Sequence, residues 1–371
     1  MNPVNLVLAT LVLAAFQATG RVCSNCSGTG RVPCAEHRSV ELARESNAIL
    51  CSFYAGCTKC AATGSVDCAS CGTANADADR AARELRSAAA KRFAGFEGAA
   101  GRPLLAAASA HFDLVCELEP MRAQGKKRSQ HELLHLYLDR MEQAYRDYLS
   151  FFALGDKDIT ARSQVFLWAT RADHEKVGQA LCGYTTFDVE YKRAVEAITS
   201  LWFDGKKLKE DEALHHCVVH QVVHGLMNAQ PPVAWTGKLR MGWADEGLSL
   251  WFEDRLLGAP TGFCFWLDED PMMRAPIQRP AVHKLLEPGR TLDFERLLTL
   301  DTIDMTREEQ ALGFALVDYF AARDAPLLRS LLDRMRARTP SRDAFKEIYG
   351  LTLEELATAW RAWVTETYPA R

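Results

Sequence analysis

The sequence predicts an α+β protein. A large, mostly helical C-terminal domain carries a small sheet near its start, and a small irregular module that needs cross-linking precedes it. Three observations carry that expectation. From about residue 104 the chain alternates long amphipathic stretches with two short strand-like segments. Residues 21–75 are rich in Cys, Gly, Ser and Thr, a composition that cannot bury an apolar core of its own. Of the 12 cysteines in 371 residues, eight fall between Cys23 and Cys71.

Length and composition set the frame. A chain of this size suits two or three domains. Hydrophobic content of 48% and charged content of 25% are ordinary globular values. The net charge of −4 gives no electrostatic drive toward nucleic acid or an anionic membrane. Leu6 to Phe16 is a run of apolar and small residues. It is short of the roughly 20 residues that span a bilayer, and it suits the apolar region of a secretory signal, with Ala18-Thr19-Gly20 for cleavage. Met1 to Asn5 lacks the usual Lys or Arg, so an uncleaved anchor is the competing reading. The expectation is an exported protein, periplasmic, cell-surface or secreted, with no membrane contact beyond that signal or anchor. The expected divisions are a signal segment (1–20), a cysteine-rich module (21–75), an alanine-rich linker helix (76–103) and a large domain (104–371).

The elements follow from periodicity and punctuation. Asp77 to Ala94 reads as a solvated helix and Gly95 to Pro103 as a break. His111 to Leu118 and Ser163 to Thr170 read as strands. Gln130 to Phe152 is a long helix with Leu134, Leu138, Met141, Tyr145, Tyr148 and Phe152 on one stripe. Val189 to Phe203, Asp211 to Met227 and Ala244 to Leu256 read as helices, with Pro231-Pro232 in a loop. Thr306 with Glu309, and Thr352 with Glu355, are capping boxes that open two further helices. Gly350 suits a helix end, and the last helix turns Leu353, Leu356, Trp360, Trp363 and Val364 inward. Cys116, Cys182, Cys217 and Cys264 are expected in the core.

The cysteine-rich module is an internal repeat. Cys23 to His37 (CSNCSGTGRVPCAEH) matches Cys57 to Cys71 (CTKCAATGSVDCASC) position by position, 34 residues on. Each unit gives C-x2-C-x7-C followed by Cys or His. Structural zinc takes four cysteines, or three and a histidine, in a tetrahedron. His37 stands where the second unit has Cys71, and a histidine ligates zinc but forms no disulfide. That favours two zinc ions on Cys23, Cys26, Cys34, His37, Cys57, Cys60, Cys68 and Cys71 over a disulfide framework, leaving Cys51 over. The units resemble the cysteine-rich zinc repeats of DnaJ-type co-chaperones; the first keeps the CxxCxGxG form and the second has Ala62 in place of a glycine. No J-domain accompanies them, so no co-chaperone role is implied. The resemblance implies one ion on Cys23, Cys26, Cys68 and Cys71 and another on Cys34, His37, Cys57 and Cys60. Pairing within each unit stays an open alternative.

A second metal signature lies in the large domain. Leu214 to Gly225 reads LHHCVVHQVVHG, and residues four apart share a helix face, so His220 and His224 can grip one ion. Twenty-two residues after His224 comes Glu246, in Trp243-Ala-Asp-Glu246-Gly247. Two histidines from one helix and a glutamate from the next are a recurring ligand set of catalytic zinc. From His111 onward the chain resembles the gluzincin metallopeptidases, whose HExxH is followed by a helix with WxxEG, and the peptidase-like domains of exported bacterial proteins. That resemblance implies a zincin-like fold and a third zinc ion. It also exposes a departure. The glutamate that takes a proton from the attacking water is Gln221 here, and a neutral amide accepts no proton; losing a general base costs ~10²–10⁴-fold in rate. Gln310 stands near the place of the family's oxyanion-stabilising tyrosine. His216, one turn before His220, extends the stripe, while His215 points elsewhere.

An intact HExxH occurs at His131-Glu132-Leu133-Leu134-His135, without a third ligand at the usual distance. The expected function is therefore a zinc-binding peptidase homologue, with weak or no proteolysis, that takes a peptide, a protein or a cell-surface polymer. The alternatives are an active metallopeptidase, using Asp245 as a substitute base or the His131, Glu132 and His135 motif, and a protein-interaction role for the cysteine repeat.

Overall fold

Alternate residues of a strand face opposite sides, and in this chain each side has a different apolar layer waiting for it. The computed structural model describes residues 25–26, 31–35, 65–70, 88, 91–182, 190–193, 197–203, 208, 210–260, 279–286 and 292–368. The expected signal segment, the front of the alanine-rich stretch, Cys51 and Cys264 lie outside the described residues. The strands are β1 (Arg31–Pro33), β2 (Ser65–Asp67), β3 (Ala106–Ala108), β4 (Phe112–Glu117), β5 (Met121–Ala123), β6 (Lys126–Arg128), β7 (Ser163–Trp168), β8 (Glu190–Arg193) and β9 (Ile198–Trp202). The helices are α1 (91–100), α2 (Gln130–Phe152), α3 (Arg171–Cys182), α4 (Asp211–Asn228), α5 (Gly242–Leu257), α6 (Arg279–Lys284), α7 (Phe294–Leu297), α8 (Arg307–Arg323), α9 (Ala325–Arg336), α10 (Ser341–Tyr349) and α11 (Leu353–Thr367).

The main sheet runs β3-β4-β7-β9-β8, with β4, β7 and β9 parallel and the two outer strands antiparallel to their neighbours. Phe112, Leu114, Cys116, Val165 and Leu167 join the large core under the helices, while Val115, Phe166 and Trp168 join a smaller core on the other face. The protein is thus α+β, mostly helical, with the sheet near the start of the large domain. Among the described residues no helix is long and apolar enough to cross a membrane.

Two expectations fail, each for a physical reason. The segment expected as a helix over Val189 to Phe203 contains β8 and β9, paired antiparallel with Tyr191 opposite Ser200. Residues Ala197 to Leu201 are all buried, and a strand covered on both faces leaves no alternation to distinguish it from a buried helix. The β-branched Ile198 and Thr199 and a place beside β7 decide for the strand. The break expected at Gly95 to Pro103 begins later. Residues 91–100 form α1, which packs Phe93 and Phe96 onto the sheet, with Phe96 and Phe166 ring centroids 4.9 Å apart. Two anchored aromatics outweigh the low helix propensity of Gly95 and Gly98, and the chain turns only at Gly101 (φ 73°).

Other expectations hold. α2 opens on a Ser129–Glu132 capping box and buries the expected stripe. The boxes at Thr306 and Thr352 both form, and Gly350 ends α10 at φ 69°. Leu356, Trp360 and Val364 are buried, and Leu353 and Trp363 pack half-buried against the core. Cys116 and Cys217 are fully buried, and burial pushes the Cys116 thiol up to about 12. Arg140 of α2 forks onto Asp211 in the first turn of α4 at 2.6 and 2.8 Å, and Tyr137 donates to the same carboxylate at 2.8 Å. Burial alone would raise the Asp211 pKa, but Arg140 and Tyr137 hold it below the usual carboxylate range. This clamp fixes the register of α4 on α2.

α5 and α8 approach closely because both are glycine where they touch. A Cβ on Gly313 would sit 2.7 Å from the Trp243 carbonyl oxygen, and one on Gly247 would collide with the Gly313 carbonyl. Gly313→Ala and Gly247→Ala should each lower stability by about 1–3 kcal/mol, the usual range for overpacking. Gly95→Ala, where an added Cβ meets nothing within 4 Å, should raise it by roughly 0.5–1 kcal/mol. Urea unfolding of the three variants checks both signs.

Candidate metal centre

α4 is buried almost all round, so its polar side chains have little access to water. Val218, Val219, Val222 and Val223 pack in the core, while His216, His220 and His224 recur every four residues along one stripe. α5 lies against that stripe and brings Glu246 and Glu253, two turns apart, to the same side. His220, Glu246, Glu253 and Asp245 are 0% exposed, and His224 is 1% exposed.

The hydrogen bonds fix which nitrogen of each ring faces inward. His220 Nδ1 meets Glu253 Oε1 at 2.5 Å, and His216 Nδ1 meets the other oxygen of the same carboxylate at 3.3 Å. His224 Nδ1 meets Asp245 Oδ1 at 2.9 Å, and Thr302 Oγ1 donates to Asp245 Oδ2 at 2.8 Å. An imidazole nitrogen beside a carboxylate carries the proton, which leaves Nε2 as an acceptor. The two Nε2 atoms stand 3.0 Å apart, with Glu246 oxygens 3.5 and 3.6 Å from them. One ligand atom from each of His220, His224 and Glu246 lies within 4.8 Å of the others. A cation placed among these three groups would be coordinated by all of them.

Charge points the same way. Asp245, Glu246 and Glu253 bring three buried carboxylates. Arg307, in the first turn of α8, brings one guanidinium; burial lowers its pKa, and Glu246 and Glu253 work to raise it. A divalent cation at the trio would offset negative charge that these carboxylates bring into the interior. The group His220, His224 and Glu246 can hold a metal ion, and among the described residues no other trio of ligand side chains gathers in this way. In comparison with known proteins, no family model matches the chain and no curated protein matches it.

The remaining site residues fall into place around this trio. Gln221 is 2% exposed and, with His224, Ser163, Thr199 and Asn228, lines a narrow cavity with about 10 Å³ of free volume. That is close to what one water needs, ~10–15 Å³. Asp245, weighed above as a substitute base, has one oxygen on His224 and the other on Thr302, so it orients a ligand ring. Gln310 is fully buried at the start of α8, beside Arg307. His131, Glu132 and His135 lie at the start of α2, and Glu132 serves the N-cap there, accepting from the Ser129 backbone N–H at 2.8 Å. No third ligand joins His131 and His135 among the described residues. Sequence reasoning missed Glu253, Thr302 and Arg307. Glu253 was within reach, because a carboxylate seven residues after Glu246 returns to the same helix face.

The cysteine module is described at Cys26, Cys34 and Cys68, which are 6%, 0% and 2% exposed; Cys23, His37, Cys57, Cys60 and Cys71 lie outside the described residues. β1 and β2 pair antiparallel with Val32 opposite Val66, the equivalent positions of the two repeat units. Asn25, inside the first CxxC, donates to Ser70, inside the last, at 2.8 Å.

If Glu253 and Asp245 hold the ligand rings in place, Glu253→Gln and Asp245→Asn should each weaken metal binding at the trio by about 10–100-fold. His131→Ala should leave it unchanged. Chelator competition on the full chain reads both outcomes.

Proposed function

We propose that the chain is an exported, zinc-binding, peptidase-like protein that binds a peptide or protein at the His220, His224 and Glu246 site with weak or no proteolysis. The observation that carries the reading is the pairing of a complete, carboxylate-supported ligand trio with an amide at Gln221. A mixed imidazole and carboxylate set of this kind suits zinc, and a bound ion supplies a Lewis acid that polarises a carbonyl or carboxylate oxygen. The chain's own residues do the rest. Glu253 and Asp245 orient the rings. Gln221 presents a neutral amide to the cavity beside His224 and moves no proton. Glu132, the base that a site on α2 would require, is engaged at the N-cap.

The β1–β2 register supports an assignment of the module's ligands. In an antiparallel pair, Cys34 leaves β1 at the end where β2 begins, the end the chain reaches from Cys57 and Cys60. Cys68 leaves β2 where β1 begins, the end reached from Cys23 and Cys26. The Asn25–Ser70 hydrogen bond joins the same two turns. The proposed zinc sites are therefore Cys23, Cys26, Cys68 and Cys71, and Cys34, His37, Cys57 and Cys60, a structural staple for a segment without an apolar core.

Restoring the base tests the reading. The native chain should cleave a generic protein substrate at or near background, and Gln221→Glu should raise zinc-dependent cleavage by about 10²-fold or more. Strong cleavage by the native chain would contradict the proposal, and its loss in His220→Ala would assign that activity to the trio.

A further inference from the structure

Gln310 is a buried side chain whose amide is only half used. It is fully buried, its Oε1 accepts from Arg307 Nη1 at 3.4 Å, and its Nε2 has no acceptor among the described residues. A buried N–H left unpaired costs about 1–3 kcal/mol, so a donor kept in that state needs an acceptor from elsewhere. Its surroundings say of what kind. Gln310 lies one turn before Gly313, where α8 meets the Trp243–Gly247 turn of α5 that carries Glu246. Arg307, one turn before Gln310, is close enough to Glu246 and Glu253 to feel both carboxylates. Both side chains come from the N-terminal turns of a 17-residue helix, where the helix dipole is positive. Near the trio, α8 therefore contributes a guanidinium and an amide donor, and Gln221 contributes a neutral amide in place of a base.

We infer that the metal site takes a carboxylate ligand, with Arg307 and Gln310 donating to the carboxylate held at the His220, His224 and Glu246 centre. The inference rests on the proposed metal centre. Donors and cations without a base favour an anion that keeps its charge over a water that must lose a proton. A peptide C-terminus and an Asp or Glu side chain share this chemistry.

Calorimetric titration of the zinc-loaded full chain tests it with three small probes. N-acetyl-alanine offers a terminal carboxylate, N-acetyl-aspartate amide a side-chain carboxylate, and N-acetyl-alanine amide none. At least one carboxylate probe should bind, the stronger naming the source, and the neutral amide should not. Arg307→Ala and Gln310→Leu should weaken that binding about tenfold or more, with Arg307→Lys keeping part of it. Thermal unfolding confirms which variants are folded, and Arg307→Lys and Gln310→Glu, which keep side-chain size, serve where the others are not. Gln310→Glu should abolish binding. Arg307 acting only to neutralise Glu246 and Glu253 would change zinc affinity or stability and leave carboxylate binding intact, which overturns the inference. Zinc per chain, measured in the same samples with His220→Ala as reference, separates the two claims. Equal zinc in the native chain and the variant sinks the metal centre itself; a lost zinc without carboxylate binding sinks only the ligand assignment.

Discussion

Two imidazole nitrogens facing each other across 3.0 Å, with Glu246 oxygens at 3.5 and 3.6 Å, set a constraint in the buried interior that a cation held between them would relieve. The helical half of the fold depends on that constraint. α4 carries both rings, α5 carries the third ligand and the two carboxylates that orient the rings, and the Thr302 hydroxyl braces Asp245. Removing any one carboxylate frees a ring to turn. A cation at the trio would add its coordination to the packing of α4 against α5. The arrangement is therefore a statement about stability as well as about binding.

The packing around the site explains why it keeps its shape. Glycines at 247 and 313 let α5 and α8 meet backbone to backbone, so Glu246 and the Arg307–Gln310 pair sit on elements fixed relative to one another. The Arg140–Asp211 clamp fixes α4 from the other end. Beside His215, one turn into α4, burial and then Arg140 hold the imidazole neutral, with its pKa lowered to about 3. Rigid surroundings preserve ligand geometry whether or not the neighbouring side chain, here the Gln221 amide, can accept a proton. Ligation and proton transfer are separable properties of such a centre, because the base is not a ligand.

Much of this was legible in the sequence. The stripe of α2, the capping boxes at Thr306 and Thr352, and the His220–His224 pair follow from residues three and four apart on helices, a period that sequence records directly; Glu246, on the next helix, was reached through the recurring two-histidine and glutamate ligand set and the resemblance to WxxEG. The repeat spacing of 34 residues foreshadows the Val32–Val66 pairing, since equivalent positions of two units meet across a local dyad. What was not legible depends on tertiary neighbours. β9 is buried on both faces, so its apolar residues carry no strand period, and only its place between β7 and β8 makes it a strand. α1 survives two glycines because Phe93 and Phe96 find the sheet. Thr302 and Arg307 reach the centre from loops and helix ends far along the chain, and no local pattern announces such contacts. The HExxH at His131 shows the converse. Its spacing is ideal, yet the glutamate answers to Ser129 at the helix start.

The most direct measurement is anomalous X-ray scattering at the zinc edge from crystals of the intact chain. The account expects a peak bounded by His220 Nε2, His224 Nε2 and a Glu246 oxygen, with Glu253 and Asp245 on the outer nitrogens of the rings. Well-ordered His220 and His224 rings with no peak between them, in crystals that show zinc in the cysteine module, would contradict it.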